Sequence, residues 1–154
     1  MMKPWMVLGA ICLATAALGD EAAKSAKKTK APVMKTAADM VWADMPVKGV
    51  QSAPLWGDMS KGAYGAMTKF SAGTLVPLHT HSSELKLVVI SGTLYVGADA
   101  ASAKDLGPGS YALQPAGWKH ITGCRPGADC IFFTEGSGKF DLKPVGGAAP
   151  EATK

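Results

Sequence analysis

Past residue 19 the sequence has no apolar run long enough to cross a bilayer, and it carries little charge of either sign. Charged residues make up 18% and aromatic residues 7%. The net charge of +4 does not mark a basic face. Between residues 20 and 36, Lys24, Lys27, Lys28, Lys30 and Lys35 stand against only Asp20 and Glu21. From residue 37 to 142, eight basic residues meet nine acidic ones. That stretch offers a phosphate backbone no net positive charge, so no nucleic-acid partner is expected. Internal repeats and long helical periods are also missing. So are carboxylate pairs and any Ser/His/Asp arrangement that would support metal-free catalysis.

Cysteine is scarce, with three in the chain. Cys12 lies in an apolar run, Met6 to Leu18, preceded by Lys3 and followed by the small residue Gly19 after Ala17 and Leu18. This order of charge, apolar run and small residues is that of a secretory signal cleaved near Gly19. The run falls short of the ~20 residues of a membrane-spanning helix. Ile11 stands before Cys12 where a lipoprotein signal wants a small residue. Residues 1–19 therefore read as a signal peptide, and the protein as periplasmic or secreted, with no membrane partner after cleavage. Residues 20–36, rich in Ala, Lys and Thr without an apolar period, read as a basic flexible linker. Residues 37–142 read as one domain, and residues 143–154 as a flexible tail.

Turn-forming residues, in contrast, are plentiful, with 18 glycines and 10 prolines. They separate short runs that favour strands: Ala63–Phe70, Thr74–Val76, Leu85–Ile90, Thr93–Gly97, Ser110–Gln114, His120–Gly123 and Ile131–Thr134. Thr93–Gly97 reads as the return from a turn at Ser91-Gly92. The segment Ala98–Asp105 reads as polar and irregular. Many short strands between Gly/Pro turns indicate an all-β sandwich or barrel.

Cys124 and Cys130 flank the turn Arg125-Pro126-Gly127-Ala128-Asp129. Two β-favouring runs around it read as a hairpin, with the cysteines opposed across its mouth at a separation that a disulfide can bridge. An oxidising compartment would supply the oxidant. The rival reading sends Cys124 into a cavity as a thiol or soft ligand on the same strand face as His120, although four residues of strand span ~13 Å.

The three histidines of the chain are His79, His81 and His120. One residue separates the first two, so on a strand they share a face. A third imidazole from a distant strand would complete a three-nitrogen set with open positions for water or substrate.

Gly73, His79 and His81 stand at the spacing that opens the first cupin motif. Gly109, Pro115-Ala116-Gly117 and His120 stand at the spacing of the second. Here the sequence resembles a cupin over roughly Trp42 to Phe140. Leu55-Trp56-Gly57-Asp58, Pro77 to Ser82 and Val88 to Thr93 are similar to a subgroup of single-domain cupins of unassigned function that includes exported bacterial proteins. The resemblance implies a cupin-type double-stranded β-helix, a small jelly-roll barrel whose ligands project into its mouth. It implies a metal site on His79, His81 and His120. The usual glutamate ligand falls on Leu85, while Glu84 sits one residue early, where it would reach a metal only if a bulge re-aimed it. Cys124 stands where the second motif usually ends in Asn. Cupins with three histidines and iron include dioxygenases acting on thiols and diketones.

Imidazole ligation admits Fe, Mn, Zn, Ni or Cu, so the expected cofactor is a divalent transition metal. The expected partner is a small-molecule ligand or substrate. Alternating parity places Leu85, Leu87 and Val89 on the pocket wall, and Tyr95, Tyr111 and Gln114 are the polar groups expected near its mouth. Val88 and Ile90 then face outward, either covered by the segment before Trp56 or left as an apolar patch suited to a homodimer. The function expected is that of an exported metal-binding cupin with dioxygenase-like small-molecule chemistry. The alternative is a non-catalytic binding or sensor module for a metal or small ligand.

Overall fold

The computed structural model describes residues 31–146. Residues 1–19, read as a signal peptide, most of the segment read as a linker and residues 147–154 of the expected tail lie outside the described residues. The chain divides into two compact units, Met1–Met34 and Lys35–Lys154, and the architecture below belongs to the second.

A single 3-10 turn, Ala37–Asp39, precedes eleven strands: β1 (Ala43–Asp44), β2 (Val50–Gly57), β3 (Tyr64–Phe70), β4 (Leu75–Thr80), β5 (Leu85–Ser91), β6 (Leu94–Gly97), β7 (Lys104–Leu106), β8 (Tyr111–Gln114), β9 (His120–Cys124), β10 (Cys130–Gly136) and β11 (Lys143–Pro144). They form two antiparallel sheets, one in the order β1-β2-β3-β10-β5-β8 and the other in the order β11-β4-β9-β6-β7. From β3 onward the chain passes between sheets at almost every connection, which is how a jelly roll is wound. Alternation drives the packing. Along β10 every second residue, from Cys130 through Phe132 and Thr134 to Gly136, is buried. The inner faces meet in a core that includes Phe70, Val76, Leu87, Val89, Leu94 and Phe132.

Two turns read as hairpins are corners instead. Strands β5 and β6 belong to different sheets, and so do β9 and β10. Turn chemistry is the same for a chain that folds back beside itself and for one that crosses to the opposite sheet, so Gly and Pro mark the place and not the destination. Gly92 shows what the corner demands. Its φ is +76°, and a Cβ there would lie 2.8 Å from the Cys130 Cα and 2.5 Å from the Asp129 carbonyl oxygen.

The disulfide Cys124–Cys130 is formed, with Cα atoms 5.8 Å apart. Cys124 pairs with Leu94 in one sheet and Cys130 with Phe70 in the other. The bond therefore ties the two sheets together rather than closing a hairpin. Two smaller differences follow from long-range pairing that local composition does not show. Lys104–Leu106, within and beside the segment read as irregular, pairs with β6. Lys143 and Pro144, read as the start of the tail, pair with Thr80 and His79.

Candidate metal centre

Strands β4 and β9 are neighbours, and their register sets His79 directly opposite His120. His81 follows just past the end of β4. The ring centroids stand 4.3 Å apart for His79 and His120, 4.9 Å for His79 and His81, and 5.3 Å for His81 and His120. One ring nitrogen from each lies within 4.8 Å of the others, and all three side chains are buried.

Each imidazole is aimed by a backbone carbonyl. Nδ1–H of His79 donates to Pro77 at 2.7 Å, and that of His120 to Trp118 at 2.9 Å. Nδ1–H of His81 donates to the carbonyl of Asp141. A carbonyl can only accept, so each Nδ1 carries the proton and each Nε2 keeps its lone pair free. The Nε2 of His120 is buried without a partner among the described residues. The Trp118 ring stacks on His120 at 4.8 Å with 14° between planes and holds it in place.

Burial keeps the rings neutral. It pulls His79 down to about 4, with His120 and His81 adding repulsion against the Pro77 hydrogen bond. Desolvation lowers His81 and His120 as well. Three neutral, converging imidazoles with bare Nε2 atoms are the donor set that a borderline transition metal takes, so the residues fit the ion implied by the motif.

Asp141 supports this arrangement twice. Its carbonyl orients His81, while its carboxylate accepts bonds from the Ser82 backbone N–H at 2.7 Å and the Ser82 hydroxyl at 2.6 Å.

Beside the histidines a cavity of about 530 Å³ opens between the sheets, lined by His79, His81, Leu85, Leu87, Gln114 and mainly apolar side chains such as Met59, Phe132 and Phe140. This volume is in the range that holds small organic ligands.

The other residues expected at the site divide. Leu85, Leu87 and Gln114 line the cavity as expected. Val89 points the same way but is packed into the core, 2% exposed, and does not reach the cavity. Glu84 does not join the histidines: it lies 3.9 Å from Lys86 Nζ and faces solvent, because its slip of one residue turns it away from the inner face. Tyr95 packs over Gly123 on the outer side of its sheet, with the Arg125 guanidinium 4.3 Å above the ring. Tyr111 is 56% exposed on the opposite outer face. For both tyrosines the parity of the strand overrides polarity.

Sequence reasoning missed Tyr64, Ser52 and Asp141. Tyr64 begins a run, Tyr64-Gly65-Ala66, that is buried throughout and so breaks the alternation that would have shown its face. Asp141 meets His81 from sixty residues away.

A family model described as a domain of unknown function, DUF4437, matches residues 33–154. No curated protein matches the chain. Among solved structures, the polyketide cyclase RemF from Streptomyces resistomycificus superposes with a TM-score of 0.62 at 20% identity, covering 77% of this chain and 89% of that one. A candidate acetylacetone dioxygenase from Methylibium petroleiphilum gives 0.59 at 20% identity, covering 81% and 90%. An RmlC-like cupin from Ralstonia eutropha gives 0.56 at 20% identity, covering 76% of each chain. At these identities the likeness establishes the fold, which is the cupin fold. Within that fold, the chain belongs to the DUF4437 family.

Proposed function

We propose that the protein is an exported metal-binding cupin that holds one divalent transition metal on His79, His81 and His120 and takes a small molecule into the adjoining cavity. The observation that carries this reading is the convergence of three buried imidazoles whose Nδ1 atoms are all committed to backbone carbonyls. Fe, Mn, Zn, Ni and Cu all accept such ligands. A metal bound there, with coordination positions left open, would supply Lewis-acid or redox chemistry. The chain's own residues orient the ligands, exclude water with the apolar wall, and keep the imidazoles unprotonated. Dioxygenase-like conversion of a small molecule is the activity this site would serve. Structural neighbours that include a polyketide cyclase and a candidate acetylacetone dioxygenase support a small organic substrate.

A second reading, non-catalytic binding of a metal or small ligand, is favoured by one observation. The carboxylate in the cavity wall, that of Asp141, is already engaged by Ser82 and is not free to serve as a general base. Export is supported by the leader pattern of residues 1–19 and by the disulfide, which suits an oxidising compartment.

Elemental analysis of the untagged protein tests the metal site. One equivalent of metal per chain is expected, and replacing His79, His81 or His120 with Ala should remove most of it. Full retention in His120→Ala would sink the assignment. Substrate-dependent oxygen uptake by the metal-loaded protein separates the enzyme from the binding module.

A further inference from the structure

The six-stranded sheet carries a second set of uncommitted polar groups. Tyr64 pairs with Gly136, Gly136 with Leu85, and Leu85 with Gln114, so these four residues form one row across β3, β10, β5 and β8. At ~4.8 Å between strands, the backbones of Tyr64 and Gln114 stand roughly 14 Å apart. Tyr64 spans part of that gap by lying across β10. Gly136 makes room for it, since a Cβ there would meet Tyr64 Cε1 at 2.2 Å and Cζ at 2.7 Å. The hydroxyl on Cζ is thus held over the middle of the row, between its own strand and that of Gln114.

Both ends of this row are buried and unsatisfied. Tyr64 is 2% and Gln114 3% exposed, both line the cavity, and neither the Tyr64 hydroxyl nor Gln114 Nε2 has a hydrogen-bond partner among the described residues. The nearby threonines do not answer them, because Thr68 and Thr134 bond each other at 2.9 Å. Native proteins rarely leave two such groups orphaned in one cavity unless something else occupies the site. Burial pushes the Tyr64 phenol well above its ordinary range, so it stays protonated and able to donate.

We propose that Tyr64 and Gln114 form a donor pair that binds the oxygen of an uncharged, largely apolar carbonyl compound in the cavity. The inference deepens the small-molecule reading given above and rests on it, but it does not depend on the metal. The Tyr64 O–H and the Gln114 N–H both donate, so the ligand atom they share must accept, and a carbonyl oxygen has two lone pairs for the purpose. In the metal-free cavity the ligand is uncharged, because among the described residues no lysine or arginine lines it and the one carboxylate in its wall is bonded to Ser82. The remaining wall, with Leu85, Leu87, Phe132 and Phe140, suits hydrocarbon.

Calorimetric titration of the full chain after chelation, with acetophenone, ethylbenzene and benzoate, tests this. Acetophenone should bind about tenfold more tightly than ethylbenzene, the worth of one or two hydrogen bonds, and benzoate should be the weakest. Tyr64→Phe and Gln114→Leu should each reduce the ketone-to-hydrocarbon ratio to about threefold or less. The ratio is the readout because general loosening of the fold would weaken both ligands alike. Tyr64→Phe keeps the ring over Gly136 and guards against misfolding of the Gln114 variant. Equal affinity for ketone and hydrocarbon, preference for benzoate, or a ratio that survives in both variants would overturn the proposal. Failure of the metal reading would show in the metal content, while the preference measured on the chelated chain stands or falls by itself.

Discussion

The imidazoles of this site refuse protons, and that has a thermodynamic consequence. His79 is held at about 4 in the folded chain, below its ordinary 6.5, and His81 and His120 are displaced in the same direction. Between these values the unfolded chain takes up protons that the folded chain does not. Stability of the metal-free protein should therefore be complete above pH 6.5 and fall as the pH drops from 6.5 toward about 4. Thermal melts of the chelated protein across that window check this, and a flat midpoint would contradict it. A second residue-scale test uses Leu85, which lines the cavity at the position where the first motif usually holds glutamate. Leu85→Glu places an unpaired carboxylate in a buried apolar wall, so the metal-free variant should melt lower than wild type. Added metal should then raise its midpoint by more than it raises that of wild type. An equal metal-induced shift in both proteins would show that position 85 does not face the ion.

At the scale of elements, the disulfide links the strands β9 and β10 from opposite sheets. Its short loop lets the chain-entropy model assign it only about 2 kcal/mol. Reduction should lower the urea midpoint by that modest amount and leave a cooperative transition. The denatured, unreduced mature protein should titrate with no free thiol, and two per chain would refute the bridge. These strands also show what the sequence made legible. His79 and His81 were readable because period-two alternation needs no long-range information, and the Gly and Pro spacing of the second motif brought His120 to the same site. Leu85 and Leu87 followed from parity. The sheet to which each strand belongs was not readable, because a corner and a hairpin use the same turn residues. Glu84 and Leu85 show how narrow the margin is, since one residue decides between the cavity and solvent. The pairing of Lys143 and Pro144 with β4, and the reach of Asp141 to His81, depend on contacts that no local window contains.

At the scale of the whole molecule, the outer face of the six-stranded sheet exposes a cluster of large apolar residues. Val88 is 40%, Ile90 49%, Tyr111 56% and Leu113 43% exposed, and they lie on the adjoining strands β5 and β8. Among the described residues nothing covers them further, and a two-fold dimer is the prediction for this face. Sedimentation at micromolar concentration should show dimers, and Val88→Glu together with Ile90→Glu should yield monomers. A monomer in the parent protein would dismiss the dimer. The site itself lies on the other side of that sheet, and the last part of it to be made is the carbonyl of Asp141, sixty residues after His81. At a synthesis rate of roughly 5–20 residues per second, that interval lasts roughly 3–12 s. During it His81 lacks the acceptor that aims it, whereas the carbonyls that aim His79 and His120 stand only two residues before them in the chain. An ion that needs all three imidazoles would therefore find them jointly oriented only once the segment around Asp141 has docked.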